Sequence, residues 1–424
     1  MIPRDKYLDE LKAFQDTDVI KVVTGVRRCG KSTLLELMRD ELLAQGKSPS
    51  DIFFYKMESM RFDELVDYRQ LYGLVIEETA GSAHPYLFFD ELQDVEGWEK
   101  AVNSLRVDLD ADIYITGSNA YLLSSELSTL ISGRYVEVEM LPLTFAEYLD
   151  FRGYKTFPKD SDKADLSVRS ADGGIASLDA LFAQYRNYGG FPYLALREPN
   201  QAEHRTYLKS LYDTVIVRDI LERDRRRGRR RITNPDLLRR VCAFLADNVG
   251  ASNSVNSITG AINSENMKVA NSTVDAYIGA LVEAYLFYPA QRYDIKGKEL
   301  LKTLGKHYVV DVGLRSYLEG YRGSAPGRVL ENMVFLQLRY EGYDVSVGKL
   351  RAGEVDFVAR KDDETTYIQV TEDMTDPATM ERELAPLRRI RDAFPKVVVV
   401  GRGEYPTNVD GIRIVGAVDF LLGR

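Results

Sequence analysis

The 424-residue chain carries 56 Lys and Arg against 65 Asp and Glu, a formal charge of −9, which excludes a polycation that coats nucleic acid along its whole surface. An apolar content of 45% and a charged content of 29% exclude a disordered or fibrous chain, and the length suits two to four domains. Two cysteines (Cys29, Cys242) and three scattered histidines (His84, His204, His307) give neither a disulfide framework nor a zinc or triad pattern. No apolar run approaches the ~18 residues of a membrane span, and the N-terminus lacks a signal-type run; the expectation is a reducing, cytoplasmic protein without a membrane.

Residues 1–16 read as a short amphipathic helix. An apolar strand over 19–23 then runs into Gly25-x-x-x-x-Gly30-Lys31-Ser32, and an amphipathic helix follows at once. This strand–loop–helix setting is what a phosphate-cradling loop requires. Its glycines let successive N–H groups face phosphate oxygens, and the helix N-terminus adds a favourable dipole. Lys31 is placed to neutralise β- and γ-phosphates and Ser32 to take one position on Mg²⁺. Gly25, Arg28, Cys29, Gly30, Lys31, Ser32 and Thr33 are the candidate nucleotide contacts. Cys29 is either a reactive thiol or a small apolar filler.

A second strand is expected over 51–57 and a helix over 68–80. The apolar run Tyr86-Leu-Phe-Phe ends in Asp90-Glu91, as in a buried parallel strand with its site at the carboxyl end. Asp90 suits Mg²⁺ binding and Glu91 suits polarisation of an attacking water. After a helix over 98–108, the strand 112–116 ends Thr116-Gly117-Ser118-Asn119, where Asn119 or Ser118 is either a sensor of the γ-phosphate or a helix N-cap. A helix over 121–131 and Ser132-Gly133-Arg134 precede a fifth strand over 135–140. Arg134 either reaches a neighbour's γ-phosphate in a homo-oligomer or closes a surface turn. The alternation predicts a parallel α/β sheet with helices on both faces.

The polar segment 148–178 reads as a loop or insertion. Helices over 178–188 and 204–221 follow, broken by Gly189-Gly190-Phe191-Pro192, and Arg218 is a candidate second sensor. Residues 225–231 read Arg225-Arg226-Arg227-Gly228-Arg229-Arg230-Arg231. From 218 to 240 there are ten Arg against four acids, which favours an anionic partner such as a nucleic acid. Helices over 235–249, 253–262 and 273–285 (the last opened by a Ser272-x-x-Asp275 capping box), then strands over 286–293 and 307–311, have winged-helix order. The helix in the recognition position holds no Lys or Arg, so packing or a protein contact suits it better than a DNA groove. An amphipathic helix over 327–342 bears Glu331. Strands over 344–349, 353–359 and 366–371, a helix over 380–393 and a strand over 396–400 complete an α/β unit.

Taken together, the loop 25–33, Asp90-Glu-Leu-Gln-Asp-Val-Glu-Gly-Trp98, 116–119, 132–134, 141–149, Gly189–Pro192, Asp311-Val-Gly-Leu314 and Glu354-Val-Asp-Phe357 resemble a family. It is the AAA+ superfamily ATPases of the STAND-related branch that carry a C-terminal domain of unknown function, and the resemblance extends over nearly the whole chain. It implies an AAA-like ATP- and Mg²⁺-binding domain (1–145), a helical lid and linker (146–222), a winged helix (223–318) and a restriction-endonuclease-like C-terminal domain (319–424). By the same resemblance Glu331, Glu354, Asp356 and Gln369 correspond to a nuclease site. The acid-x-Lys such a site needs stands here as Gln369-Val370-Thr371, neutral at both places, so a non-cleaving domain is expected. The function implied is an ATP-hydrolysing switch or motor whose C-terminal domain binds a protein or DNA partner. The alternative is an ATP-dependent DNA-processing nuclease.

Overall fold

The computed structural model describes residues 2–63, 65, 67–120, 133–155, 167–170, 175–222, 232–264, 267–321, 326–351 and 353–424. The helix expected over 121–131, Ser132 and the arginine run 225–231 lie outside the described residues. The chain forms two compact units, Met1–Met140 with Glu283–Tyr285, and Leu141–Val282 with Leu286–Arg424.

In the first unit, α1 (Asp5–Lys12) leads to β1 (Ile20–Thr24), α2 (Lys31–Ala44), β2 (Ile52–Lys56), α3 (Tyr68–Thr79), β3 (Tyr86–Asp90), α4 (Trp98–Asp108), β4 (Asp112–Thr116) and β5 (Tyr135–Glu139). The strands form one parallel sheet in the order β2-β3-β4-β1-β5. Strands β1, β3 and β4 are buried at every residue, which is why they do not alternate between apolar and polar side chains. Leu87, Phe89, Ile113 and Ile115 pack against Leu71 and Val75 of α3 and Val102 and Leu105 of α4. Because β1 lies inside the sheet between β4 and β5, the loop that follows it opens at the carboxyl ends of the strands, next to the ends of β3 and β4. Lys21 on β1 and Asp112 on β4 form a fully buried ion pair, with the Tyr114 hydroxyl donating to Asp112 at 2.8 Å.

The second unit departs from expectation in several places. The segment 148–178 is not a bare loop. The helix Phe145–Phe151 is opened by a Thr144/Glu147 capping box, and β6 (Tyr154–Lys155), β7 (Ser167–Ser170) and β8 (Ile175–Ser177) form a small antiparallel sheet. The helix expected over 204–221 is α-helical over Gln201–Thr214 and becomes π-helical over Val215–Glu222. The helix Asn271–Glu283 begins ahead of Ser272, which places that serine in the first turn and not at the cap. The hairpin β9 (Phe287–Asp294) and β10 (Glu299–Val309) does not stand apart as a wing. Strand β9 pairs in parallel with β11 (Asp344–Lys349), so the hairpin extends the sheet of the C-terminal segment.

That sheet has eight strands, adding β12 (Glu354–Lys361), β13 (Glu364–Asp373), β14 (Lys396–Arg402), β15 (Asn408–Val409) and β16 (Ile412–Gly416), in the order β10-β9-β11-β12-β13-β14-β16-β15. The last two strands and the helix Ala417–Leu421 have no counterpart in the sequence reading. The two family-like motifs 189–192 and 311–314 meet. The Asp311 carboxylate accepts from the Gly190 N–H at 2.6 Å and the Leu314 N–H at 2.8 Å, and a Cβ on Gly189 would overlap it. The glycine pair is therefore a cradle for a buried carboxylate.

Candidate nucleotide site and a second carboxylate cluster

The loop after β1 needs glycine at its first position for two reasons: Gly25 has φ +132°, and a Cβ there would overlap the Met140 carbonyl oxygen. Gly30, at φ +109°, caps α2, so the first helical N–H groups face the loop. Lys31 is only 4% exposed, and its Nζ donates to the carbonyls of Gly25 at 3.0 Å and Val26 at 3.1 Å. Among the described residues Lys31 is thus held by backbone oxygens rather than a carboxylate, a hold that an anion can replace.

Ser32 Oγ donates to Asp90 Oδ1 at 2.9 Å, and Thr116 Oγ1 donates to the same oxygen at 2.6 Å. Burial pushes the Asp90 carboxyl up, the two hydroxyls partly offset this, and the neighbouring Glu91 pushes it up further. Glu91 sits in the left-handed region at φ 57°, a strained place for a non-glycine residue. Its N–H donates to Thr116 Oγ1 at 3.0 Å, and its Oε2 accepts from Ser118 Oγ at 3.3 Å and from Gln93 Nε2. Thr116 therefore joins the two carboxylate residues, one through each lone pair or proton of its hydroxyl.

Ser118 and Asn119 lie buried at the carboxyl end of β4, on the same edge as the loop. Arg134 does not. It precedes β5, where its carbonyl accepts from Ile20 N at 2.9 Å at the opposite end of β1. The five-residue length of β1, about 16 Å, separates it from the loop of its own chain. Thr33 and Arg134 are exposed. Cys29 is fully buried, and burial pushes its thiol up, which fits the apolar filler and not the reactive thiol. Arg218 falls in the π-helical turn of the second unit. Sequence reasoning missed Thr116 and Gln93 as partners of the acids, and Arg4, whose Nη1 donates to the Cys29 carbonyl at 3.3 Å. Thr116 carried a signal: it ends the strand beside the one that ends in Asp90.

In the second unit the side chains Glu331, Glu354, Asp356 and Gln369 also come together, around a residue that was not expected. Lys306 Nζ lies 3.0 Å from Glu331 Oε1, 3.2 Å from Glu354 Oε1 and 3.4 Å from Asp356 Oδ1, at 2% exposure. Lys306 and Tyr308 share one face of β10, and the Tyr308 hydroxyl donates to Glu331 at 2.7 Å. Asn332 clamps Val309 through two hydrogen bonds of 2.9 Å, which fixes the end of β10 against the Glu331 helix (Pro326–Tyr340). Asp356 accepts from Val370 N at 2.9 Å, and Gln369 turns its amide nitrogen to Glu383 at 3.0 Å. Burial and then Glu331 push the Asp356 carboxyl up to about 7, while Lys306 draws it down. For Lys306, burial lowers the pKa, but the three carboxylates outweigh it and hold the ammonium charged.

Two family models match parts of the chain. Residues 17–149 match a family model described as an AAA domain, and residues 179–325 match one described as a domain of unknown function (DUF8612). An uncharacterised protein of Haemophilus influenzae is 39% identical over 100% of this chain and 99% of its own length. An uncharacterised protein of Methanocaldococcus jannaschii is 30% identical over 80% of this chain and 71% of its own length. Among solved structures, a Walker-type ATPase of Pyrococcus abyssi aligns over 75% of this chain and 96% of its own, at 13% identity and a TM-score of 0.47. Among the described residues, no helix is long and apolar enough to cross a membrane. The chain belongs to the family of the Haemophilus and Methanocaldococcus proteins, and its residues 17–149 form an AAA domain.

Proposed function

We propose that the protein binds and hydrolyses ATP as a nucleotide-dependent switch or motor, and that its C-terminal segment engages a partner without cutting it. The observation that carries the reading is the convergence of Lys31, Ser32, Asp90 and Glu91 at one edge of the parallel sheet. Lys31 and the N–H groups at the start of α2 bind the phosphates, and Glu91 takes the proton of the water that attacks the γ-phosphorus. Ser118 and Gln93 hold the Glu91 carboxylate before the water is in place. The hydroxyl of Ser32 and the carboxylate of Asp90 form a hard-oxygen pair that suits Mg²⁺, which would supply neutralising charge at the phosphates.

Steady-state ATP turnover tests this. Glu91→Gln is expected to lower turnover by about 10²–10³-fold while leaving nucleotide binding in place. Turnover unchanged by Glu91→Gln would remove Glu91 from the reaction. Arg134, at the far end of β1, is placed to act on the nucleotide of a second copy. In that case turnover per chain rises with protein concentration and Arg134→Ala abolishes the rise. A nucleic-acid partner held by residues 225–231 requires affinity that falls steeply with salt and a slope that flattens when those arginines are replaced. Salt-independent binding would assign the partner to another class.

A further inference from the structure

The second-unit cluster holds four carboxylates, those of Glu331, Glu354, Asp356 and Glu383, around Gln369 and Lys306. Closely packed, largely buried carboxylates of like charge need a cation near their centre. Here β10 delivers one covalently.

We infer that Lys306 is the resident cation of this cluster: its ammonium occupies a latent divalent-cation site and closes it to Mg²⁺. Three features place the ammonium as an occupant of the centre rather than a passing neighbour. Its Nζ contacts three acids drawn from two elements, the Glu331 helix and β12, at 3.0–3.4 Å. Its stem is buried on β10 beside Tyr308, whose hydroxyl donates to the same Glu331 oxygen, so the contact has a second anchor. The strand is irregular where it must be: the β9–β10 register shifts between Leu301 and Lys306, and regular pairing resumes at Lys306. The Gly250 turn also lies against the Glu331 carboxylate: a Cβ there would come within 2.8 Å of Oε2, so glycine leaves room for the acid in this position.

This deepens the non-cleaving reading of the C-terminal segment and rests on it. Gln369 and Thr371 remove the acid and the lysine that hydrolysis needs on β13, and Lys306 removes the place for the metal. The lysine returns to the cluster from another strand, but as an ion-paired group with no coordination shell to act beside.

The test measures Mn²⁺-dependent thermal stability of the nucleotide-free, full-length protein, with Lys306→Gln and Lys306→Gln/Asp356→Asn as variants. Wild type is expected to show no Mn²⁺-dependent shift. Lys306→Gln, even if it melts early or is unfolded without metal, is expected to gain roughly 5 °C or to refold on adding Mn²⁺. The double variant loses that response. A wild-type shift that Asp356→Asn abolishes, or a Lys306→Gln chain indifferent to Mn²⁺, would overturn the inference while leaving the non-cleaving reading intact. Mg²⁺-dependent plasmid nicking by the wild-type chain, lost in Asp356→Ala, would instead overturn the non-cleaving reading.

Discussion

Two buried lysines, each in a different unit, separate the two sites of this protein. Lys31 and Lys306 are 4% and 2% exposed, and each lies among carboxylate-bearing strands. Lys31 donates to two backbone carbonyls, while the nearby acid, Asp90, is engaged by hydroxyls. Lys306 is matched by three carboxylates. The first arrangement leaves a positive charge available to an incoming anion, and the second has already spent its charge on the fold. Burial alone does not make a lysine a ligand-binding group; what it is paired with decides.

The sharpest way to break that contrast is to remove each function in turn. Lys31→Ala is expected to abolish nucleotide binding, read as loss of ATP-dependent thermal stabilisation, with a small effect on the melting of the nucleotide-free protein. Lys306→Ala is expected to do the reverse. It leaves buried carboxylates without their counter-ion and should cost about 3–5 kcal/mol in denaturant unfolding, with nucleotide binding retained. If Lys306→Ala unfolds at the wild-type denaturant concentration, the cluster is not held by its ammonium and the comparison collapses.

The same two lysines show how much the sequence made legible. Lys31 stands in a local motif, with strand, glycines and helix all within sixteen residues, so its role is readable from neighbours in the chain. The Asp90-Glu91 pair was readable for the same reason, at the end of an apolar run. Lys306 was not. It lies 25 residues from Glu331 and 50 from Asp356, and tertiary contacts bring its strand to them: the pairing of β9 with β11 and the Asn332–Val309 clamp. A hairpin after three helices reads as a wing whichever sheet it joins, because strand register is a tertiary choice. Thr116 falls between these cases, since its strand was found but its hydroxyl's two partners depend on β3 lying next to β4.

Asp311 supplies a smaller and sign-specific test of buried carboxylates without any lysine. It is fully buried, and its ligands are the Gly190 and Leu314 N–H groups. Burial pushes its carboxyl up to about 6 from 3.8, and those N–H groups only partly draw it back. Between the two values the folded chain holds a proton that the unfolded chain has released. Stability from this group is therefore full below pH 3.8 and is lost as pH rises through about 6. Asp311→Asn should lower stability by about 1–3 kcal/mol, because an amide turns an N–H toward one of the two backbone donors. The wild-type advantage over Asp311→Asn should shrink from pH 4 to pH 6.5 in paired urea titrations. An advantage that grows over that interval would mean that the Gly190 and Leu314 N–H groups stabilise the anion more than burial penalises it. In that case the Gly189-Gly190 cradle would be a site for a charged carboxylate, closer in its electrostatics to the phosphate loop than to the Lys306 cluster.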